Sequence, residues 1–238
     1  MAPVPEIAWA DEATTAGAAA RALEAFPVLI VKGFADHGTC DAAHRLAAAF
    51  MDRQEPTVLD RFEATRSYHT VDIEPPNSKT KRVFRSLIVY PDDADPLWPE
   101  IRPCFERQAA FYNLLRGERF GFAQDADVRG FRPQVIHYPR GGGYFQTHQH
   151  PLMPMRYGLI LNISRKGRDF FSGQTYFMVD GEKLSVDAQH DLGDLCIFRY
   201  DLPHGIDPVD PDSGPYRWDA SGRWTAVIPL LMRKPAGG

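Results

Sequence analysis

Between residues 133 and 232 the chain repeats one pattern, a short apolar run followed by a turn. The runs are PQVIHY, YFQTHQ, YGLILNIS, GQTYFMV, KLSV, DLCIFRY and RWTAVIPLLM. The turn signals among them are PRGGG, RKGRD, VDGE, DLGD and DPDSGP. Runs rich in β-branched and aromatic residues read as strands, and Gly, Pro and Asp clusters break the chain between them. Many short strands at even spacing predict a barrel or sandwich.

The preceding part reads as helices around a few strands. TTAGAAARALEAF (14–26) is alanine-rich and helix-favouring, CDAAHRLAAAFM (40–51) is helical, and WPEIRPCFERQAAFYNLLR (98–116) is an amphipathic helix. PVLIVKGF (27–34) and RVFRSLIVY (82–90) are expected strands. Residues 52–82 are polar, with Pro75 and Pro76 side by side, and are expected to form a long loop or arm of the kind that overlies active sites. With 238 residues, 44% of them hydrophobic, the chain has enough for one well-filled domain. The expectation is a single domain over 1–238, with a helical preface to about 130 and a barrel core over about 131–233.

Charge and cysteine content narrow the function classes. A net charge of -4 without a block of Lys or Arg leaves no footprint for nucleic acid. Three cysteines, Cys40, Cys104 and Cys196, are odd in number and far apart, which fits a reducing compartment rather than a disulfide framework. The start, MAPVPEIAWADEATTAGAAA, lacks the basic and apolar blocks of a secretory signal, and no run approaches the ~20 apolar residues of a bilayer span. A cytoplasmic enzyme or binding protein is expected, with no membrane partner and with its oligomeric state, monomer or homodimer, left open.

YFQTHQHP (144–151) carries His148 and His150 one residue apart, and residues two apart on a strand point to the same face. His204, in DLPHGIDPV, comes just after the DLCIF strand. Two ligands on one strand and a third on a later strand could clamp a metal and leave other coordination positions open. Imidazole suits Fe, Zn, Cu and Ni alike, so the ligand type selects no metal. A lone H-x-H among eight histidines says little, and surface histidines are the bland alternative. His137 and His190 are expected to be structural or exposed. Asp194, in GDLCIF, reads as turn chemistry.

HYPRGGGYFQTHQHP, YGLILNIS, GDLCIF, LPHGIDPV and RWTAVIPL stand in the order found in iron(II)/2-oxoglutarate-dependent oxygenases. The chain resembles the prolyl-hydroxylase-like branch of that superfamily over roughly 134–232, and FPVLIVKGFADHGTCDAAHRL resembles its N-terminal strand and helix. The resemblance implies a double-stranded β-helix (jelly-roll, cupin-like), α+β or mostly β in class, with N-terminal helices packed on one side. It implies Fe(II), 2-oxoglutarate and O2 as cofactors and co-substrates. His148 takes the first ligand position and His204 the distal one. Arg223 and Thr225 match the pair that holds the far carboxylate of 2-oxoglutarate, a role for which a guanidinium's paired donors are suited. Arg217 is the competing anchor. Tyr138 matches a co-substrate-binding tyrosine, and Asn162 ends a strand from which it could reach into the barrel.

The resemblance breaks at one position: the family's second ligand is a carboxylate, and here it is His150. Three readings follow. The first is a three-histidine Fe(II)/2-oxoglutarate oxygenase, most simply a hydroxylase of a small-molecule or amino-acid-type substrate. The second is a three-histidine iron dioxygenase that does not use 2-oxoglutarate. The third is a cupin-like binding module without catalysis. Arg223-x-Thr225 favours the first over the second. A carboxylate from elsewhere, Asp187, Asp191 or Asp201, is the weakest way to complete the ligand set. Arg53, Arg61, Arg66 and Arg140 could attract an acidic group at the entrance.

Overall fold

The computed structural model describes residues 3–57, 67–123 and 130–231. In chain order its first part is β1 (Glu6–Ala8), α1 (Glu12–Ala25), β2 (Val28–Lys32), α2 (His37–Arg53), β3 (Ser67–Ile73), β4 (Arg82–Val89) and α3 (Trp98–Arg116). Then come β5 (Gly130–Phe131), β6 (Gln134–Tyr138), β7 (Gly143–His148), β8 (Tyr157–Asn162) and β9 (Thr175–Val179). The last strands are β10 (Glu182–Ser185), β11 (Leu195–Arg199), β12 (His204–Val209), β13 (Arg223–Val227) and β14 (Leu230–Leu231).

The helices start where short polar side chains stop the extended chain. Asp11 accepts the Thr14 N–H and Asp36 accepts the Thr39 N–H, each capping an otherwise orphaned donor at about 1 kcal/mol. α3 ends at Gly117, whose left-handed backbone (φ 63°) closes the last turn.

Twelve strands join in one sheet, in the order β1-β2-β11-β8-β13-β6-β4-β7-β12-β9-β10, with β3 paired to β4. β4 pairs with both β6 and β7, so it carries the hydrogen-bonded ladder from one half to the other. The halves face each other: Cys196 and Phe198 of β11 pack with Phe177 and Val179 of β9 and Leu184 of β10. The alternate residues of the first half turn outward. Leu29, Val31, Leu159, Leu161, Leu195, Ile197, Trp224 and Ala226 pack with α1, α2 and α3 through Ala19, Ala47, Ile101 and Phe105. Period-two alternation thus divides each strand between a helix-covered face and the barrel interior. Each fully buried Leu, Ile or Phe in these layers contributes roughly 1.5–3 kcal/mol. This is the double-stranded β-helix with N-terminal helices on one side.

The expected loop over 52–82 needs correcting. α2 runs on to Arg53, and Ser67–Ile73 is β3, paired antiparallel with β4 from Ser67↔Val89 to Ile73↔Val83. Its polar alternation, Ser-Tyr-His-Thr-Val-Asp-Ile, hid it: β3 pairs with β4 alone and needs little apolar face. Arg61 and Arg66 lie outside the described residues. Arg53 caps its own helix by donating to the Ala49 carbonyl, and Arg140 is paired with Asp210 at 2.7 Å. Among the described residues, no helix is long and apolar enough to cross a membrane.

Candidate metal centre

His148, His150 and His204 converge. One ring nitrogen from each lies within 4.8 Å of the others, and no other group of three or more potential ligands does so among the described residues. Ring centroids are 4.3 Å apart for His148 and His204, 5.0 Å for His148 and His150, and 5.4 Å for His150 and His204. The expectation of two ligands on one strand is corrected in part: β7 ends at His148, and His150 lies beyond it. Pro151 offers no N–H to extend the ladder. The His150 N–H instead donates to the Tyr200 carbonyl, which brings the ring back to the others.

Each imidazole is held. His148 Nδ1 lies 3.0 Å from the Gln146 carbonyl oxygen and His204 Nδ1 2.8 Å from that of Leu202. A carbonyl only accepts, so both Nδ1 atoms carry the proton and both Nε2 lone pairs are left for a ligand. His148 stacks on Phe145 (3.8 Å), His150 on Tyr200 (4.4 Å), and His204 abuts Phe198 (4.5 Å). Burial pushes His204 down to about 3, helped by the neighbouring His148, and pushes His148 down to about 4; burial also lowers His150. All three rings are therefore neutral near pH 7. Three neutral imidazoles with free lone pairs are a donor set for a borderline divalent metal, and Fe(II) fits it.

The histidines open into a cavity of about 360 Å³ between the two sheet halves. Its walls are mostly apolar, with Phe84, Phe145, Ile160 and Phe198 prominent, and Arg132 and Gln134 add polar groups. Gly158 and Gly205 are small for contact reasons. A Cβ on Gly158 would sit 2.2 Å from the Phe198 ring, and one on Gly205 would sit 2.5 Å from the Tyr176 hydroxyl.

Away from the histidines, Tyr138, Thr175 and Thr225 line the cavity. Arg223 lies two residues before Thr225 on the same face of β13, opposite Tyr138 of β6, and is fully buried. It is not itself a wall residue. Its Nη1 donates to both Asp187 oxygens and to the Gly173 carbonyl, each at 2.9 Å, and its Nε and Nη2 have no partner. Thr175 Oγ1 is also unpartnered. Unsatisfied buried donors of this kind are costly unless a ligand meets them. The Nε–Nη2 edge is the fork that grips a carboxylate, so these residues fit the far end of 2-oxoglutarate.

Arg217 is exposed, its backbone bridged to Arg140. Asn162 is buried, its Nδ2 donating to the His190 carbonyl and its Oδ1 unpartnered, but it does not line the cavity. Asp194 accepts N–H groups of Gly33 and Asp191 and pairs with Lys32, as turn chemistry predicts. His137 is buried and structural, taking a hydrogen bond from Arg85 Nε and donating to the Ser221 carbonyl. Asp191 is exposed and Asp201 accepts from Arg199. Asp187 as the partner of Arg223 had no local signal, since the two stand 36 residues apart.

No family model matches the sequence, and no curated protein matches it. Solved structures do. A prolyl-4-hydroxylase of Pseudomonas putida superposes with a TM-score of 0.55 at 14% identity, covering 92% of this chain and 99% of that one. A prolyl hydroxylase of Trichoplax adhaerens, solved with a hypoxia inducible factor oxygen degradation domain peptide fragment, gives 0.56 at 11% identity, covering 92% and 90%. The chain therefore has the fold of these prolyl hydroxylases, with three histidines converging on the cavity of its barrel.

Proposed function

We propose that the chain is a non-haem Fe(II)/2-oxoglutarate-dependent oxygenase that hydroxylates a small-molecule or amino-acid-type substrate. The observation that carries this reading is the pairing, in one barrel, of three convergent imidazoles with a buried arginine whose carboxylate-gripping edge is unpartnered. His148, His150 and His204 hold the metal. Arg223 and Thr225 hold the distal carboxylate of 2-oxoglutarate, with Tyr138 beside them. Fe(II) held there would supply O2 activation, with 2-oxoglutarate as the co-substrate that would take one oxygen atom and be converted to succinate and carbon dioxide while the other hydroxylates the substrate. The chain orients both carbon substrates and keeps water out with Phe84, Phe145, Ile160 and Phe198.

A second reading, a three-histidine dioxygenase that does without 2-oxoglutarate, is favoured by one observation: Arg223 already has a carboxylate partner in Asp187. The unpartnered Nε–Nη2 edge of the guanidinium weighs for the first. Helices and both sheet halves are read as one functional domain. Three buried, unbonded thiols suit a cytoplasmic setting.

Anaerobic loading with Fe(II), then 2-oxoglutarate and O2, tests the proposal through metal content and succinate release. One iron per chain with succinate formation supports it. One iron without succinate, in the presence of O2 uptake, supports the second reading. A chain that takes up no metal overturns both readings.

A further inference from the structure

The guanidinium of Arg223 lies over the Phe170 ring, 5.1 Å from its centroid, and is hydrogen-bonded at Nη1 only. Asp187 sits at Nη1 with both oxygens at 2.9 Å, and the same carboxylate accepts the Thr175 N–H at 2.9 Å. Lys166 Nζ stands 3.9 Å from it. Both partners of the pair are almost wholly buried, so the pair is a fixed part of the barrel interior. An arginine has five N–H donors, and here the three on Nε and Nη2 are the ones left over. An end-on carboxylate at Nη1 is not the arrangement that satisfies Arg best; a fork across Nε and Nη2 is. That better edge is unpartnered, and Thr225 and Thr175 beside it line the cavity.

The first coordination shell has the opposite imbalance. Three neutral imidazoles bring no negative charge to a divalent ion, whereas a ligand set with a carboxylate brings one. Count the interior with 2-oxoglutarate bound: two positive charges of the metal and one of Arg223 meet two negative charges of 2-oxoglutarate and one of Asp187. The charges cancel. Without Asp187 the filled site would keep one uncompensated positive charge, at high cost in a desolvated interior.

We infer that Asp187 is a positioning residue: it holds Arg223 by Nη1, leaves Nε and Nη2 for the distal carboxylate of the co-substrate, and carries the negative charge that the three-histidine ligand set lacks. The inference rests on the 2-oxoglutarate reading. It has a consequence of definite sign. Asp187 is a like charge beside the bound carboxylate, so it weakens 2-oxoglutarate binding while keeping the empty anchor tolerable.

The test uses full-length protein loaded with Mn(II), titrated with 2-oxoglutarate and with 2-oxobutyrate, which lacks the distal carboxylate. Asp187→Asn keeps an acceptor for Nη1 and removes the charge. The expected result is about tenfold tighter 2-oxoglutarate binding and unchanged 2-oxobutyrate binding, the size expected for removing one like charge in a partly desolvated site. The melting temperature of the variant should also rise more on adding 2-oxoglutarate than that of the wild type. Unchanged or weaker 2-oxoglutarate binding, or an equal change for both ligands, overturns the inference. If the variant does not fold alone, saturating Mn(II) and 2-oxoglutarate should restore its melting transition, and no recovery overturns it too. A wild-type chain that takes up Mn(II) yet binds the two oxoacids equally fails differently: it removes the 2-oxoglutarate reading itself and this inference with it.

Discussion

His148 and His204 are register partners across the antiparallel β7–β12 ladder, and each ring is pinned by the carbonyl two residues before it. Two residues 56 positions apart thus repeat one local geometry on adjacent strands, with their ring centroids 4.3 Å apart. His204→Ala is accordingly expected to abolish stable metal uptake, with a loss exceeding the roughly 10–100-fold typical of outer-shell changes. One tightly held metal per chain in that variant would take His204 out of the ligand set.

His150 is joined to the pair differently, from outside the strand and with Tyr200 stacked on it. His150→Asp puts a carboxylate into a half-buried position beside two neutral rings. Without metal it lacks a counter-charge and the protein should melt lower. With metal the carboxylate is compensated, so the rise on adding Fe(II) or Mn(II) should exceed the wild-type rise. A 100-fold gain in affinity at saturation is worth about 2.7 kcal/mol, or about 5–10 °C in a chain of this size. An equal rise in both proteins would show that position 150 does not touch the metal.

The strands around this site were legible because their alternation is strong. β6, β8, β11 and β13 bury both faces, one against the helices and one in the barrel, and their Val, Ile, Leu and Trp residues mark them. β12 was harder, since Gly205 and Pro208 interrupt HGIDPV; its histidine drew attention before its strand did. β3 was illegible because it is polar and pairs with β4 alone. The convergence of His148, His150 and His204 followed from spacing plus resemblance. The Arg223–Asp187 pair did not, because a salt bridge across 36 residues leaves no periodic trace.

Buried histidines give the metal-free protein a pH dependence. His190, with Nε2 between the Ile160 and Asp194 carbonyls, is pushed down to about 4, chiefly by burial and then by Arg223. Burial likewise lowers His137, with Arg85 adding to it. The unfolded chain binds these protons near pH 6.5, the folded one only at lower pH, so stability is fully present above about 6.5 and is lost as pH falls toward 4. His190 alone accounts for about 3 kcal/mol over that window. Urea midpoints should fall between pH 7.5 and pH 5 with an unchanged slope; a flat profile would mean that these rings are protonated in the folded state.

Removing Arg223 should separate binding from folding. Arg223→Gln leaves the Asp187 carboxylate buried without its partner, a cost of about 3–5 kcal/mol. The double variant Arg223→Met with Asp187→Leu removes both charges and should regain most of that stability, yet still lose 2-oxoglutarate while keeping metal. Denaturant melts with metal and 2-oxoglutarate titrations check both halves. A double variant that binds 2-oxoglutarate as the wild type does would move the anchor elsewhere.

Gly158 connects packing to the site. A Cβ there would meet Phe198 Cζ at 2.2 Å, and Phe198 lines the cavity 4.5 Å from His204 and packs with Phe177 and Val179. The ring must shift into the cavity or against the histidine. Gly158→Ala is expected to cost about 1–3 kcal/mol by overpacking and to weaken co-substrate binding through lost volume. Gly121→Ala is the matched control, because a Cβ on Gly121 meets nothing within 4 Å and should change stability by less than about 0.5 kcal/mol. Comparable melting curves for the two variants would mean that the Phe198 ring moves aside freely, and the wall it forms beside the metal centre would then not be rigid.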